Sequence, residues 1–276
     1  MKQTTKMEAT IQINNRIRYI VKSILFCVVF TAMFVAFSFL KSFVPNNIER
    51  LTHGISGTIA ALVTTALFLK FDRKRFSDIG LVFQRNTFMK FFVGVIVGTL
   101  IMGLLATTVL YFSDVAIKVN SKSNFLFFLL MTLPLLPLAF MEELGFRAYP
   151  LQILKDKIGI RLSILTTSIL FALYHIANGW SIASSFYGPA IWGLVFGLAA
   201  VYANGIAMPT GIHYAANLTT AAFSSAGSSF NLWIITPNTA MATKHKGIDW
   251  TTILPSMVLF VVAIVCIEVY LRRKAN

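Results

Sequence analysis

Acidic residues are scarce in this chain, which has ten Asp and Glu against 24 Lys and Arg among its 276 residues. Charged residues of either sign make up only 12%, whereas 57% are hydrophobic. A soluble globule needs more polar surface than this to cover its core, so a water-soluble domain is excluded. The composition is that of an integral membrane protein built from several transmembrane helices.

Cysteine is also rare, and the two cysteines, Cys27 and Cys266, both fall in hydrophobic runs. They are expected to be reduced packing residues rather than a disulfide framework. The chain also lacks an internal repeat and a polar linker that would divide it. We therefore predict a single integral membrane domain over residues 1–276.

Long apolar runs are abundant, and each can be compared with the roughly 17–25 residues that a helix needs to cross a bilayer. The sequence predicts an all-α polytopic protein of about eight transmembrane helices. These are expected at 22–40, 51–69, 91–112, 130–154, 161–178, 186–203, 206–223 and 252–271. Pro134 and Pro137 should kink the fourth of them, because proline cannot continue the backbone hydrogen-bond ladder.

The net charge of +14 lies in blocks of Lys and Arg beside the predicted spans. Most of these blocks fall on one side of the membrane, which by the positive-inside rule places both termini in the cytoplasm. Contact with anionic membrane lipid explains this charge better than nucleic-acid binding, which is not expected. The sequence does not give the oligomeric state.

The sequence also predicts features of two connecting segments and of one glycine pattern. Residues 70–90 should include a short interfacial helix. Residues 224–251, with Trp233 and Trp250 as interface anchors, could be a loop or a partly re-entrant cover over a cavity. Gly193 and Gly197 are in G-x-x-x-G register, which we interpret as close packing between helices of the same chain.

Two adjacent acidic residues, Glu142 and Glu143, lie inside a hydrophobic run. An ionisable group at that depth costs several kcal/mol unless it is paired or faces water, so it indicates a functional site. Arg147 follows Glu143 by four residues and can pair with it on one helix face. Glu142 points about 100° away and stays available for other contacts.

Two histidines also fall within spans. At 1.5 Å per residue, Glu142 lies about 18 Å and His175 about 21 Å above the cytoplasmic ends of their helices. His213 reaches the same depth if the turn before its helix is recessed, and Asn217 follows it by one helical turn. We expect four side chains from three helices to line an intramembrane polar cavity, supported by the Glu143 and Arg147 pair: Glu142, His175, His213 and Asn217.

Three ordered motifs contain these residues: E-E-x-x-x-R at Glu142 to Arg147, F-x-x-x-H at Phe171 to His175, and H-x-x-x-N at His213 to Asn217. In these motifs the chain resembles the CPBP family of intramembrane proteases. That family includes the type II CAAX prenyl endopeptidases and bacterial proteins linked to bacteriocin processing and self-immunity. The resemblance covers roughly residues 125–223, which would form the catalytic core.

The resemblance implies an intramembrane endopeptidase of the bacterial cell membrane, with Glu142 as the base that activates water. Its substrate would be a hydrophobic or lipidated, membrane-associated peptide or protein. In one reading, His175, His213 and Glu142 approach a catalytic zinc ligand set. In the other, the same histidines and Asn217 hold water and the oxyanion without a metal. No H-E-x-x-H is present, so the expectation of Zn²⁺ rests on the metalloprotease label of the family more than on residue spacing.

Two other functions fit parts of the sequence. A proton-coupled transporter also needs carboxylates and histidines inside a helical bundle, but it often shows inverted repeats. A non-catalytic immunity or regulatory partner could keep the same fold and act by binding. The lack of a repeat and the position of the polar residues in the second half of the chain favour the hydrolase, as do the intact Glu142 and histidines.

Overall fold

The computed structural model describes residues 2–45, 48–112, 115–224, 231–237 and 250–275. Helices dominate these ranges. The helices are α1 Lys2–Ser38, α2 Glu49–Asp72, α3 Thr87–Phe112, α4 Phe125–Thr132, α5 Leu135–Glu143, α6 Tyr149–Ile158, α7 Ile160–Ala177, α8 Ile182–Ser185, α9 Ile191–Ala203, α10 Ala207–Ala222 and α11 Trp250–Ala275. Two 3₁₀ segments, Phe39–Phe43 and Phe76–Ile79, and two π segments, Leu144–Ala148 and Phe186–Ala190, join or extend them.

Seven segments of the described chain are long and apolar enough to cross a membrane, which makes this an all-α polytopic membrane protein with slightly fewer spans than predicted. They are Ile13–Ser38, Glu49–Asp72, Thr87–Phe112, Phe125–Ile158, Ile160–Ala177, Ile182–Ala203 and Ile253–Ala275. The predicted span at 206–223 is not among these seven. It corresponds to α10, whose 16 residues extend only about 24 Å, less than the hydrocarbon core of about 30 Å.

The fourth span is broken by its prolines. Helix α4 ends at Thr132 and α5 begins at Leu135, so the predicted interruption at Pro134 is confirmed. Pro137 lies in the first turn of α5, where a missing N–H costs no hydrogen bond. The π segment Leu144–Ala148 ends two residues before Pro150. We attribute this wider turn to Pro150, which lacks an N–H and crowds the carbonyl four residues before it.

Helices α3 and α10 pack at very short distance through glycine. A Cβ atom on Gly94 would lie 2.2 Å from the carbonyl oxygen of Met208, and one on Gly98 would lie 2.7 Å from that of Ile212. From the opposite side, a Cβ on Gly211 would lie 2.1 Å from the carbonyl oxygen of Phe91. These contacts hold α10, the helix of His213, against α3.

The glycines of α9 pack against α7. A Cβ on Gly193 would lie 2.9 Å from the Cα of Ser168, and one on Gly197 would lie 3.0 Å from a side-chain carbon of Ile164. Close packing between helices of the same chain is therefore confirmed for this pattern. It places α9 beside the helix that carries His175.

A small sheet that the sequence did not predict lies between the helices. Strand β1 (Val115–Val119) pairs antiparallel with β3 (Trp233–Pro237), which pairs in parallel with the two-residue β2 (Phe223–Ser224). In the predicted 224–251 segment, Trp233 stacks on Phe223 with ring centroids 5.0 Å apart. Residues 225–230 and 238–249 and the side chain of Trp250 lie outside the described residues, so the predicted cover and second anchor are not assessed.

The predicted short helix in residues 70–90 is the 3₁₀ segment Phe76–Ile79, in which Ile79 is buried. The backbone N–H of Arg75 donates to Asp78 at 2.8 Å. This bond lowers the pKa of the Asp78 carboxyl below its usual value. The Asp78 carboxylate therefore caps the amino-terminal end of this segment.

Aromatic residues of α1 form the core behind the E-E-x-x-x-R motif. Phe30 stacks on Tyr174 at 5.8 Å and meets Phe146 edge-on at 5.9 Å. A Cβ on Gly145 would lie 2.6 Å from the Phe30 ring, so only glycine allows this approach. Burial of these rings positions the motif segment against α1 and α7.

Candidate functional site

Glu143 and Arg147 form an ion pair with no solvent exposure of either side chain. The guanidinium Nε lies 3.5 Å from one carboxylate oxygen, and Nη1 donates to the other at 3.5 Å. This is the pairing that the four-residue spacing predicted. A buried carboxylate without such a partner would be strongly destabilising, so the pair is what allows Glu143 to stand in the core.

His213 of α10 contacts both glutamates, one through each ring nitrogen. Its Nδ1 lies 2.8 Å from Oε1 of Glu143, and its Nε2 lies 3.5 Å from Oε2 of Glu142. A carboxylate oxygen accepts hydrogen bonds, so Nδ1 must carry the hydrogen. Glu143 therefore sets the orientation of the ring and directs Nε2 toward Glu142, a role beyond the supporting ion pair that the sequence predicted.

Glu142 is the more accessible of the two acids. Its side chain is 15% exposed, against 0% for Glu143. The 3.5 Å between Glu142 and His213 is too long for a strong direct hydrogen bond, so a water molecule or a substrate atom can bridge the two groups. Glu142 is thus the acid that reacting groups can reach.

His175 lies in the last turn of α7 and has a separate partner. Its Nδ1 lies 2.9 Å from the carbonyl oxygen of Phe171. Since a carbonyl only accepts, this nitrogen also carries the hydrogen, which leaves Nε2 as the available ring atom. The Phe171 ring has its centroid 4.6 Å from that of His175 and 6.1 Å from that of His213. The structure therefore brings Glu142 and His213 together, while His175 adjoins them through this ring.

Asn217 lies one helical turn beyond His213 on α10 and is half-buried. Within the described part of the chain, no hydrogen bond engages its carboxamide. The predicted contact of Asn217 with the other polar side chains is thus not formed directly. Its carboxamide keeps both its donor and acceptor capacity for a bound molecule.

Aromatic rings surround the guanidinium of Arg147, an arrangement that the sequence analysis missed. The guanidinium carbon lies 4.3 Å from the ring centroid of Phe171 and 5.3 Å from that of Phe196. Phe196 also stacks on His213, with centroids 4.5 Å apart and planes 16° from parallel. In the sequence, Phe196 is one of many phenylalanines in apolar spans, so only its position between the two glycines of α9 distinguishes it.

The arrangement of donor atoms at the site tests whether it could bind zinc. Both imidazoles have Nδ1 bound to an oxygen, as metal-binding histidines commonly do, and the chemistry of Nε2 and a carboxylate suits zinc. However, among the described residues no group of three or more His, Cys, Asp or Glu side chains is close enough to hold a metal ion. The residues as arranged do not fit a zinc site, and zinc dependence stays a prediction.

A cavity of about 290 Å³ lies at the end of the bundle where the 76–87 connection and the α9–α10 turn meet. Phe140 and Leu144, on either side of the Glu142 and Glu143 pair in sequence, form part of its wall. Lys90 also lines it and donates to the carbonyl oxygen of Ala203 at 2.9 Å. Neither glutamate and neither motif histidine lines this cavity, which therefore lies beside the site.

Comparison with known proteins gives one family match. Residues 122–219 match the family model described as type II CAAX prenyl endopeptidase, Rce1-like. This segment is about a third of the chain and includes all three motifs, so it agrees with the resemblance that they indicated. No curated protein matches the chain. The match supports an intramembrane protease function in general, and with the apolar spans it indicates an integral membrane protein.

Proposed function

We propose that this protein is an intramembrane endopeptidase in which Glu142 activates water for attack on a peptide bond. The observation that carries the proposal is the chain of contacts from Arg147 through Glu143 and His213 to Glu142. In this chain, each buried group orients the next one. It ends at the acid that solvent can reach.

In the proposed reaction, the Glu142 carboxylate takes a proton from a water molecule as the water oxygen attacks the substrate carbonyl. The carbonyl oxygen becomes an oxyanion in the tetrahedral intermediate. The C–N bond then breaks, and the proton on Glu142 passes to the leaving amine. The products are a new carboxylate and a new amine, with Glu142 returned to its starting form.

His213 supports this proton transfer by position. With its Nδ1 hydrogen bound to Glu143, its Nε2 can accept a hydrogen bond from the attacking water and hold it beside Glu142. The aromatic contact with Phe196 restricts rotation of the ring out of this position. Buried Glu143 and Arg147 are positioning residues, since neither has an exposed atom through which to touch the substrate.

The oxyanion requires a hydrogen-bond donor on the opposite side of the carbonyl. Asn217 lies one turn beyond His213, and its carboxamide has no hydrogen-bond partner among the described residues. His175 can donate through Nε2 when it is protonated. We assign these two residues to oxyanion and substrate binding. No step of this mechanism passes through a metal.

The substrate class follows from the surroundings of the site. The glutamates lie in a span that passes through hydrocarbon, so the cleaved bond must reach them from a membrane-associated chain. A peptide or protein with a hydrophobic or lipidated end meets this requirement, including the prenylated proteins after which the matching family is described. We place the protein in a bacterial cell membrane with both termini in the cytoplasm.

The test is cleavage of a library of membrane-associated peptides by the purified protein, with products identified by mass spectrometry. In ¹⁸O-labelled water, hydrolysis should place one heavy oxygen in the new carboxylate. Glu142→Ala and His175→Ala should each abolish or strongly reduce cleavage, whereas Asp156→Asn, at an exposed acid outside the three motifs, should not. Full cleavage by Glu142→Ala would overturn the proposal. Binding of peptides without cleavage by the wild type would instead favour a non-catalytic partner.

A further inference from the structure

A second cavity, separate from the glutamate site, lies among α3, α9, α10 and α11. It has a volume of about 450 Å³, within the range of small-molecule binding sites. Its walls are mostly aliphatic, and include Val97 of α3, Ile212 of α10 and Val265 of α11. We call this cavity the α11 slot.

The slot extends along α11. Its lining residues on that helix run from Leu259 to Arg273, a rise of about 21 Å at 1.5 Å per residue. Tyr202 and Tyr270 line the end of the slot near Arg273, with ring centroids 6.2 Å apart. Tyrosine is enriched where hydrocarbon meets the polar headgroup region, which places this end of the slot at the membrane surface.

Arg273 is a cation for which the described residues provide no ion-pair partner. It lines the slot, and no carboxylate in the described ranges forms an ion pair with it. The nearby Arg161 differs, because it binds Glu268 through two hydrogen bonds of 2.6 Å. Arg272 and Lys274 lie beside Arg273 in sequence but do not line the slot, so among the described residues Arg273 is the cation of its wall.

We propose that the α11 slot binds an anionic phospholipid, with an acyl chain along the aliphatic wall and the phosphate headgroup on Arg273. This inference is independent of the proposed protease function. An acyl chain gains little in moving from bilayer hydrocarbon into an aliphatic slot, because the two surroundings are equally apolar. Selection must therefore come from the charged headgroup, and the slot should prefer anionic over zwitterionic lipid.

The first test compares adjacent arginines. The wild type, Arg273→Gln and Arg272→Gln are purified in detergent and mixed with phosphatidylglycerol or phosphatidylcholine. Bound lipid is then counted by native mass spectrometry. Arg273→Gln should bind phosphatidylglycerol about fivefold more weakly, the usual contribution of one basic residue beside anionic lipid. Arg272→Gln, which does not line the slot, should stay near the wild type.

The second test blocks the part of the α11 slot that is proposed to bind the acyl chain. Val265 lines the slot and Ile264 does not, and both are exposed enough to accept a larger side chain. In vesicles that contain phosphatidylglycerol with a photoactivatable acyl chain, the wild type should cross-link at slot residues such as Cys266. Val265→Trp should remove these cross-links, and Ile264→Trp should keep them.

Three results would overturn the proposal. Equal weakening by Arg272→Gln and Arg273→Gln would show a general surface attraction instead of a site. Equal retention of phosphatidylcholine and phosphatidylglycerol by the wild type would remove the headgroup selection. Unchanged cross-links in a folded Val265→Trp protein would show that the acyl chain lies elsewhere.

Discussion

His213 donates its Nδ1 hydrogen to Glu143 across 2.8 Å. The neighbouring acid, Glu142, faces the opposite ring nitrogen at 3.5 Å. Two adjacent residues of the same type therefore have different surroundings. The buried one is held by Arg147 and orients the imidazole, whereas the more accessible one remains for water and substrate.

This difference predicts distinct effects for two equivalent substitutions. Glu142→Gln should lower the rate of peptide cleavage by about 10²–10⁴-fold, because an amide cannot accept the proton from water. Its thermal unfolding should change little, since Glu142 holds no buried ion pair. Glu143→Gln should lower both the rate and the unfolding temperature, because it leaves Arg147 buried without an anion.

Initial rates and thermal unfolding of the same preparations check this prediction, with Asp156→Asn as the control acid. A Glu142→Gln protein that cleaves at the wild-type rate would remove Glu142 from the mechanism. Glu143→Gln with unchanged unfolding would show that the buried pair is not needed for stability.

A double-mutant cycle should show strong coupling between Glu143 and Arg147. Glu143→Gln or Arg147→Met alone should each reduce the free energy of unfolding by about 3–5 kcal/mol, because each leaves one buried charge unpaired. The double variant should lose much less than the sum of the two, because it leaves neither charge. Denaturant unfolding in detergent gives the four values.

The exposed pair of Arg161 and Glu268 provides the matched cycle, since its side chains are 61% and 39% exposed. Its coupling should be below about 1 kcal/mol, because solvent screens exposed ion pairs. Similar coupling energies for the buried and the exposed pair would contradict the importance of burial.

The glycine contacts of α3 should be required for the position of His213. Gly98→Val places side-chain atoms where a Cβ would already lie 2.7 Å from the carbonyl oxygen of Ile212, so α10 must move. Overpacking of this kind costs about 1–3 kcal/mol, and a displacement of about 1 Å in a catalytic group can cost 10²-fold in rate. Cleavage should fall by about that factor.

Gly103→Val is the control for this substitution. Gly103 lies on the same helix, and a Cβ there meets no atom within 4 Å. Activity assays and unfolding of both variants should separate local displacement from a general effect of valine on α3. Equal activity of the two proteins would show that the α3–α10 contact does not position His213.

The zinc prediction has a measurement that does not depend on activity. If the protein depends on zinc as the family label implies, metal analysis of the purified protein finds about one zinc per chain, which a chelator removes and added zinc restores. His175→Ala and His213→Ala should each lower this content. Protein that contains no zinc and remains active in the presence of chelator would reject the prediction and support the metal-free mechanism.

Several predictions from the sequence depended on local spacing, and these agree with the structure. The pairing of Glu143 with Arg147 follows from 3.6 residues per turn, and the interruption at Pro134 follows from a missing N–H. The length of α10 was overestimated because its flanking residues are apolar too. The β1–β3 pairing could not be predicted, since it joins residues more than a hundred positions apart.

The sequence alone determined the membrane class, the buried acids and the three motifs, because hydrophobicity and helical spacing are properties of neighbouring residues. Only the tertiary structure decided which glutamate accepts the Nδ1 hydrogen of His213, that the Phe171 ring adjoins both histidines, and that Phe196 covers Arg147. Those relationships depend on how helices rotate and approach one another. That geometry depends on glycine contacts, which act between helices distant in the sequence, whereas the π turns change the course of a helix locally.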